Sequence, residues 1–99
     1  MITYQVKLTD TFSNELALII DYIENKLENR IAANNFFEKV VAAIKSLATF
    51  PFRFVEYNKK VRKIIVMNYS IFYSVSKLLK TVYILHILYN GRDISKLQL

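Results

Sequence analysis

Between Ile2 and Leu8 the chain alternates apolar Ile2, Tyr4, Val6 and Leu8 with polar Thr3, Gln5 and Lys7. A period of two is expected of a strand with one buried face. The period then lengthens. Thr9, Asp10 and Thr11 offer oxygen acceptors for the free amides of a helix start. Phe12, Leu16, Ile19, Ile20, Ile23 and Leu27 follow at helical spacing, with Glu15, Glu24 and Lys26 off the stripe. This predicts a first helix running to about Leu27. Glu28, Asn29 and Arg30 break the pattern, and Ala33, Phe36, Phe37, Val40, Ile44 and Leu47 resume it. Phe50-Pro51 closes the second helix, because proline has no amide to donate and disfavours helical geometry in the residue before it. Helices joined by so few residues are expected to fold back as an antiparallel hairpin.

Residues 52–60 read as a polar, basic loop. From Val61 three runs rich in Val, Ile, Tyr and Phe follow, VRKIIVM, YSIFYSV and TVYILHILY, with turns expected at Asn68 and at Ser76–Lys80. In the middle run Tyr69, Ile71, Tyr73 and Val75 share one face, and Ser70, Phe72 and Ser74 the other. The last run is apolar on both faces, as a central strand would be. Strict alternation places His86 with Val82, Ile84 and Leu88, and Tyr89 on the opposite face. The order β-α-α-β-β-β gives an α+β fold, a helical hairpin packed on one face of a small, mainly antiparallel sheet.

Composition narrows the class. The chain has 99 residues, 54% of them hydrophobic, with one glycine and one proline. That is enough for one core and leaves little for linkers, so residues 1–99 are expected to form a single domain. Without cysteine there is no disulfide or thiolate chemistry, and a single histidine argues against a zinc site. No cofactor or metal is expected. The apolar runs are short and broken by Tyr83, His86 or charges, and the N-terminus lacks a signal layout. No membrane association is expected, and a cytoplasmic location fits.

Charge is divided unevenly along the chain. Residues 1–49 carry five basic and six acidic side chains, whereas residues 50–99 carry nine basic and two acidic. A positive field on one half concentrates polyanions. Arg53, Lys59, Lys60, Arg62 and Lys63 are the candidates for contact with nucleic acid or another target. Alternation sends Arg62 and Lys63 to opposite faces of their strand, leaving one free for phosphate. Such charges equally guard an edge strand against aggregation. The aromatic side chains fit the core, with Phe72, whose face also holds two serines, the candidate stacking platform for bases. The acidic residues sit on the helices and do not converge as paired-carboxylate chemistry requires. No glycine-rich phosphate loop or nucleophile motif is present. His86 or Tyr89 beside an arginine is the remaining option for general acid–base chemistry on a ribose hydroxyl and phosphate.

The β-α-α-β-β-β order, the Phe50-Pro51 stop, NYSIFYSV and the closing TVYILHILYNGRD resemble the RelE/ParE superfamily of bacterial toxins, often described as plasmid stabilisation proteins. The likeness runs from ITYQVKLTD to GRDISKL. It implies the toxin of a type II toxin–antitoxin pair, with an acidic antitoxin that folds on binding as partner. RelE-like members cut messenger RNA on the ribosome, as mRNA interferases. ParE-like members inhibit DNA gyrase and lack the nuclease residues. The resemblance puts Arg62 and Lys63 in the strand where nuclease members hold phosphate. It aligns Arg92 with an arginine near the end of the last strand, Tyr89 with a frequent histidine, and His86 with a frequent arginine. The nuclease reading thus has Arg92, Tyr89 and His86 as its catalytic candidates. Ser70 stands where RelE has a phosphate-stabilising arginine, and the chain ends soon after Arg92, without the C-terminal helix of some nuclease members. Both departures point towards the gyrase-inhibiting branch. A non-toxic basic nucleic-acid-binding domain is the reading outside the toxin class.

Overall fold

The computed structural model describes residues 2–90. Strand β1 (Gln5–Leu8) leads into helix α1 (Asp10–Asp21), which continues through one π-helical turn, Tyr22–Lys26. Helix α2 (Arg30–Thr49) follows, then β2 (Arg62–Val66), β3 (Tyr69–Ser76) and β4 (Thr81–Tyr89). The expected element order and α+β class are therefore observed. The strands form one four-stranded sheet in the order β1-β4-β3-β2. β4 is central, parallel to β1 and antiparallel to β3, and β3 is antiparallel to β2. No helix among the described residues is long and apolar enough to cross a membrane.

The helical hairpin is anchored at both ends by the sequence that precedes it. Thr9 caps α1, its Oγ1 accepting from Phe12 N–H at 3.2 Å. Asn29 caps α2 by accepting from Ala32 N–H. α2 then returns to the start of β1, where Tyr4 N–H donates to Ala48 O. The hairpin buries Phe12, Phe36, Val40 and Leu47 against Ile64, Val66, Ile71, Tyr73, Val82, Ile84 and Ile87. Each such side chain stabilises the fold by about 1.5–3 kcal/mol relative to exposure.

Several pattern positions lie outside this core. Ile2, which precedes β1, and Leu8, at its end, are 59% and 52% exposed, and Leu27 is 56% exposed. A π turn advances fewer degrees per residue than an α-helix, so Leu27 rotates off the stripe that Phe12 begins. Phe37 is exposed beside α1 rather than under the helices.

The outer face of the sheet is not bare. Val61, Phe72 and Leu88 form a second buried cluster with Leu85 packed against it. Phe72 is therefore no stacking platform for bases. The reason is the segment after Pro51, which doubles back on the edge of β2. Lys63 N–H donates to Val55 O, and Tyr57 and Asn58 N–H both donate to Val61 O. This small hairpin lays Tyr57 edge-on against Phe72 at 5.3 Å.

β4 carries one further device. Phe72 is opposite His86 and Tyr73 opposite Ile84, so Leu85 is an extra residue, a β-bulge. The bulge resets the alternation: Val82, Ile84 and Ile87 face the helices, while His86 and Leu88 share the outer row with Phe72 and Ser70. The face assigned to His86 by strict alternation is corrected accordingly. Thr9 holds the bulge in place. Its N–H and Oγ1 both donate to Ile84 O, and Oγ1 also lies 3.3 Å from Leu85 O. Thr9→Ala removes the helix cap and the bulge contact together, and should lower unfolding free energy by about 1–2 kcal/mol in urea melts. Thr9→Ser should retain most of it.

Candidate functional site

Beyond Leu8 the central strand has no β1 neighbour, so the edge of β4 from Leu85 onward is open. Glu15 of α1 closes part of it. Its Oε1 accepts from Ile87 N–H at 3.0 Å, and both carboxylate oxygens lie 3.1–3.2 Å from His86 Nδ1. A carboxylate at this distance makes Nδ1 the donor, fixing the ring to α1. His86 is thus a half-buried partner of Glu15, and Glu15 is turned to the sheet rather than to solvent.

At the end of β4, Tyr89 is 57% exposed and stacks edge-on against Tyr69, centroids 5.5 Å apart. Burial, and then the neighbouring Tyr89 and Tyr22 phenols, raise the Tyr69 pKa above its ordinary value. With Tyr22, Leu27, Phe36 and Met67, the pair lines an apolar hollow of about 530 Å³ under the helix junction. On the opposite face of β3, Ser70 is buried, its hydroxyl bonded to the Asn90 side chain. Arg92 lies outside the described residues.

The basic candidates collect elsewhere. Asn58 Oδ1 accepts from Lys60 and Val61 N–H at 2.8 and 2.9 Å, a side-chain turn that sets the hairpin tip carrying Lys59 and Lys60. Arg62 is held inside the segment, not free. Its Nη1 donates to Phe52 O and Phe54 O, its Nη2 to Glu56 Oε1 at 3.0 Å, and its guanidinium lies over the Phe52 ring. Lys77, from the β3–β4 turn, places Nζ over the same ring at 5.2 Å. Together these residues bound a cleft of about 550 Å³. Arg53 lies over Phe54 instead, and Lys63 sits on the outer face opposite Phe72.

The candidate residues therefore form two groups. The Tyr69–Tyr89 row and the Arg62–Tyr73 row are separated by four residues along β3, about 13 Å. Lys63 and His86 share the row between them, two strands apart with Phe72 in the middle. Nothing in the pattern of the sequence singled out Phe52, Asn58 or Lys77 for the cleft, since each belongs to a turn whose neighbours are set by the fold.

The sequence profile described as the ParE toxin of type II toxin–antitoxin system, parDE, matches residues 6–94. This chain belongs to the ParE toxin family. Among solved structures, the chromosomal ParDE toxin–antitoxin system from P. aeruginosa shares the fold with a TM-score of 0.74 at 19% identity, over 90% of this chain and 98% of that one. The toxin–antitoxin complex RelBE2 from Mycobacterium tuberculosis shares it with a TM-score of 0.56 at 16% identity, over 93% and 97%. No curated protein sequence matches the chain. At these identities the ParE-family toxin has the fold of both neighbours, and the residues of its own site carry the rest.

Proposed function

We propose that this ParE-family toxin arrests bacterial growth by inhibiting DNA gyrase in the cytoplasm, and that an acidic antitoxin neutralises it. The observation that supports this reading best is the state of the nuclease candidates. His86 is bound by Glu15, Arg62 is enclosed by Phe52, Phe54 and Glu56, and Ser70 is buried against Asn90. General acid–base cleavage needs a proton-transfer group and cations converging on one phosphate. His86, Arg62 and Ser70 instead stand in three separate rows with their polar groups engaged. Exposed Leu18, Tyr22, Ile31 and Phe37 along the helical hairpin support a protein partner that covers apolar surface.

The ribonuclease reading retains one observation, the exposed phenol of Tyr89 at the end of β4. Induced expression separates the two. Growth arrest, relieved by the adjacent antitoxin frame, with blocked supercoiling by purified gyrase and intact reporter mRNA, is the expected result. Ribosome-dependent mRNA cuts that disappear in Tyr89→Phe or Arg92→Ala would transfer the toxin to the nuclease branch. Absence of arrest would remove both.

A further inference from the structure

We propose that the cleft at the Arg62 end of the sheet is a seat for nucleic-acid backbone phosphates, with Lys59, Lys60 and Lys77 as the phosphate ligands. The inference goes beyond the gyrase reading, because it concerns the purified chain alone and requires neither gyrase nor an antitoxin.

Three observations carry it. The first is uncompensated charge. Lys59, Lys60, Arg62 and Lys77 line one cleft with a single carboxylate, Glu56, and that carboxylate is paired with Arg62. Among the described residues no carboxylate pairs with any of the three lysines. Two of the cations, Arg62 and Lys77, are gathered over one ring, Phe52, at 5.3 and 5.2 Å.

The second is preorganisation. The lysines come from two short turns that the fold fixes independently. The Asn58 side chain sets the tip bearing Lys59 and Lys60. Ser76 Oγ accepts from Leu79 N–H across the turn bearing Lys77. Arg62 ties the first turn to Phe52 and Phe54, so it acts as a positioning residue and not as a ligand. A cleft of about 550 Å³ is roomy enough for a nucleotide-sized group.

The third is the kind of cation left over. The one arginine in the cleft has its fork occupied, and the free cations are all lysines. The arginine fork suits carboxylate and phosphate alike, whereas a lysine ammonium is a compact point charge of the kind that neutralises successive backbone phosphates. Three such charges on two turns fit a phosphodiester chain, and competition by poly-glutamate separates it from an acidic peptide.

The test is fluorescence anisotropy of a labelled DNA duplex and a labelled single-stranded RNA across a salt titration, using the whole chain. The variants are Lys59→Gln/Lys60→Gln/Lys77→Gln and a charge-matched control on the helical surface, Lys26→Gln/Lys39→Gln/Lys45→Gln. The cleft triple should flatten the log–log salt slope by about 2.7 for the duplex or about 2.1 for the single strand, roughly one contact per lysine. The control triple should leave the slope near that of the parent. The steeper and tighter of the two arms identifies DNA or RNA as the source of the phosphates. Should the cleft triple lose its melting transition, Lys77→Gln alone, expected to flatten the duplex slope by about 0.9, carries the test. No binding by the parent chain, an unchanged slope in the cleft variants, or equal flattening by both triples overturns the proposal. So does displacement of the nucleic acid by poly-glutamate at a lower charge concentration than unlabelled duplex or RNA requires.

Discussion

Tyr73→Ala is expected to lower unfolding free energy by about 3–5 kcal/mol, the range for removing a large aromatic side chain from a packed core. Tyr73 is fully buried, spans the middle of β3, and packs with Ile64, Val82 and Ile84 beneath the helices. Domains of this size hold about 5–15 kcal/mol in total, so the variant should lie near the edge of folding, its transition lowered by tens of degrees in thermal melts. Tyr73→Phe isolates the hydroxyl. That hydroxyl donates to Pro51 O at 3.0 Å and tethers the segment after α2 to the sheet. Its loss leaves a buried carbonyl without this donor and should cost about 1–2 kcal/mol.

The same phenol sets an alkaline limit. Burial pushes the Tyr73 pKa above its ordinary value of 10.0, and the Arg62 charge offsets only part of the rise. The folded state therefore binds this proton more tightly than the unfolded chain does. The stabilisation is fully present below about pH 10 and is lost as pH rises through the folded value. Tyr69 adds to the decline in the same direction. Urea melts above pH 10 should show a shallower loss in Tyr73→Phe than in the parent, and an identical pH slope in the two proteins would contradict this account.

Glu15→Ala is expected to be the most damaging change on the helical surface, at about 2–3 kcal/mol. One carboxylate satisfies both the Ile87 amide and His86 Nδ1 on the open edge of β4. Removing it leaves two half-buried donors unpaired, each with a desolvation cost of about 1–3 kcal/mol that entering water partly relieves. Glu15→Gln keeps an acceptor for the Ile87 amide and should lose less than half as much. Amide exchange reads the effect locally. Ile87 should exchange much faster in Glu15→Ala, while Val82, in the part of β4 paired with β1, should change only by the global loss of stability. Unaltered Ile87 protection would show that the carboxylate does not hold this edge.

The element order was legible in the sequence because periodicity reports burial, and burial on one face is what each element needs. Phe12 to Ile23 and Ala33 to Leu47 predicted two helices, and the all-apolar TVYILHIL predicted a central strand. Both are observed. The site was less legible. A bulge at Leu85 shifts every later side chain by one face, and no residue type marks it. The burial of Phe72 depends on Tyr57 and Val61 folding over it, a contact between separate segments that a count of nearby serines cannot foresee.

The sequence by itself determined the two helices, the four β runs, the turns and the uneven charge, since each follows from local periodicity, turn chemistry or composition. Only the tertiary structure decided which charges are free. Arg62 and Lys60 look alike in the run Lys59-Lys60-Val61-Arg62-Lys63. The fold encloses the Arg62 guanidinium within its own loop, and it leaves the lysines at a turn tip facing Lys77 across a cleft. Whether a cation is engaged or available depends on what the chain brings to it from a distance, and here that is Phe52, Phe54, Glu56 and the β3–β4 turn.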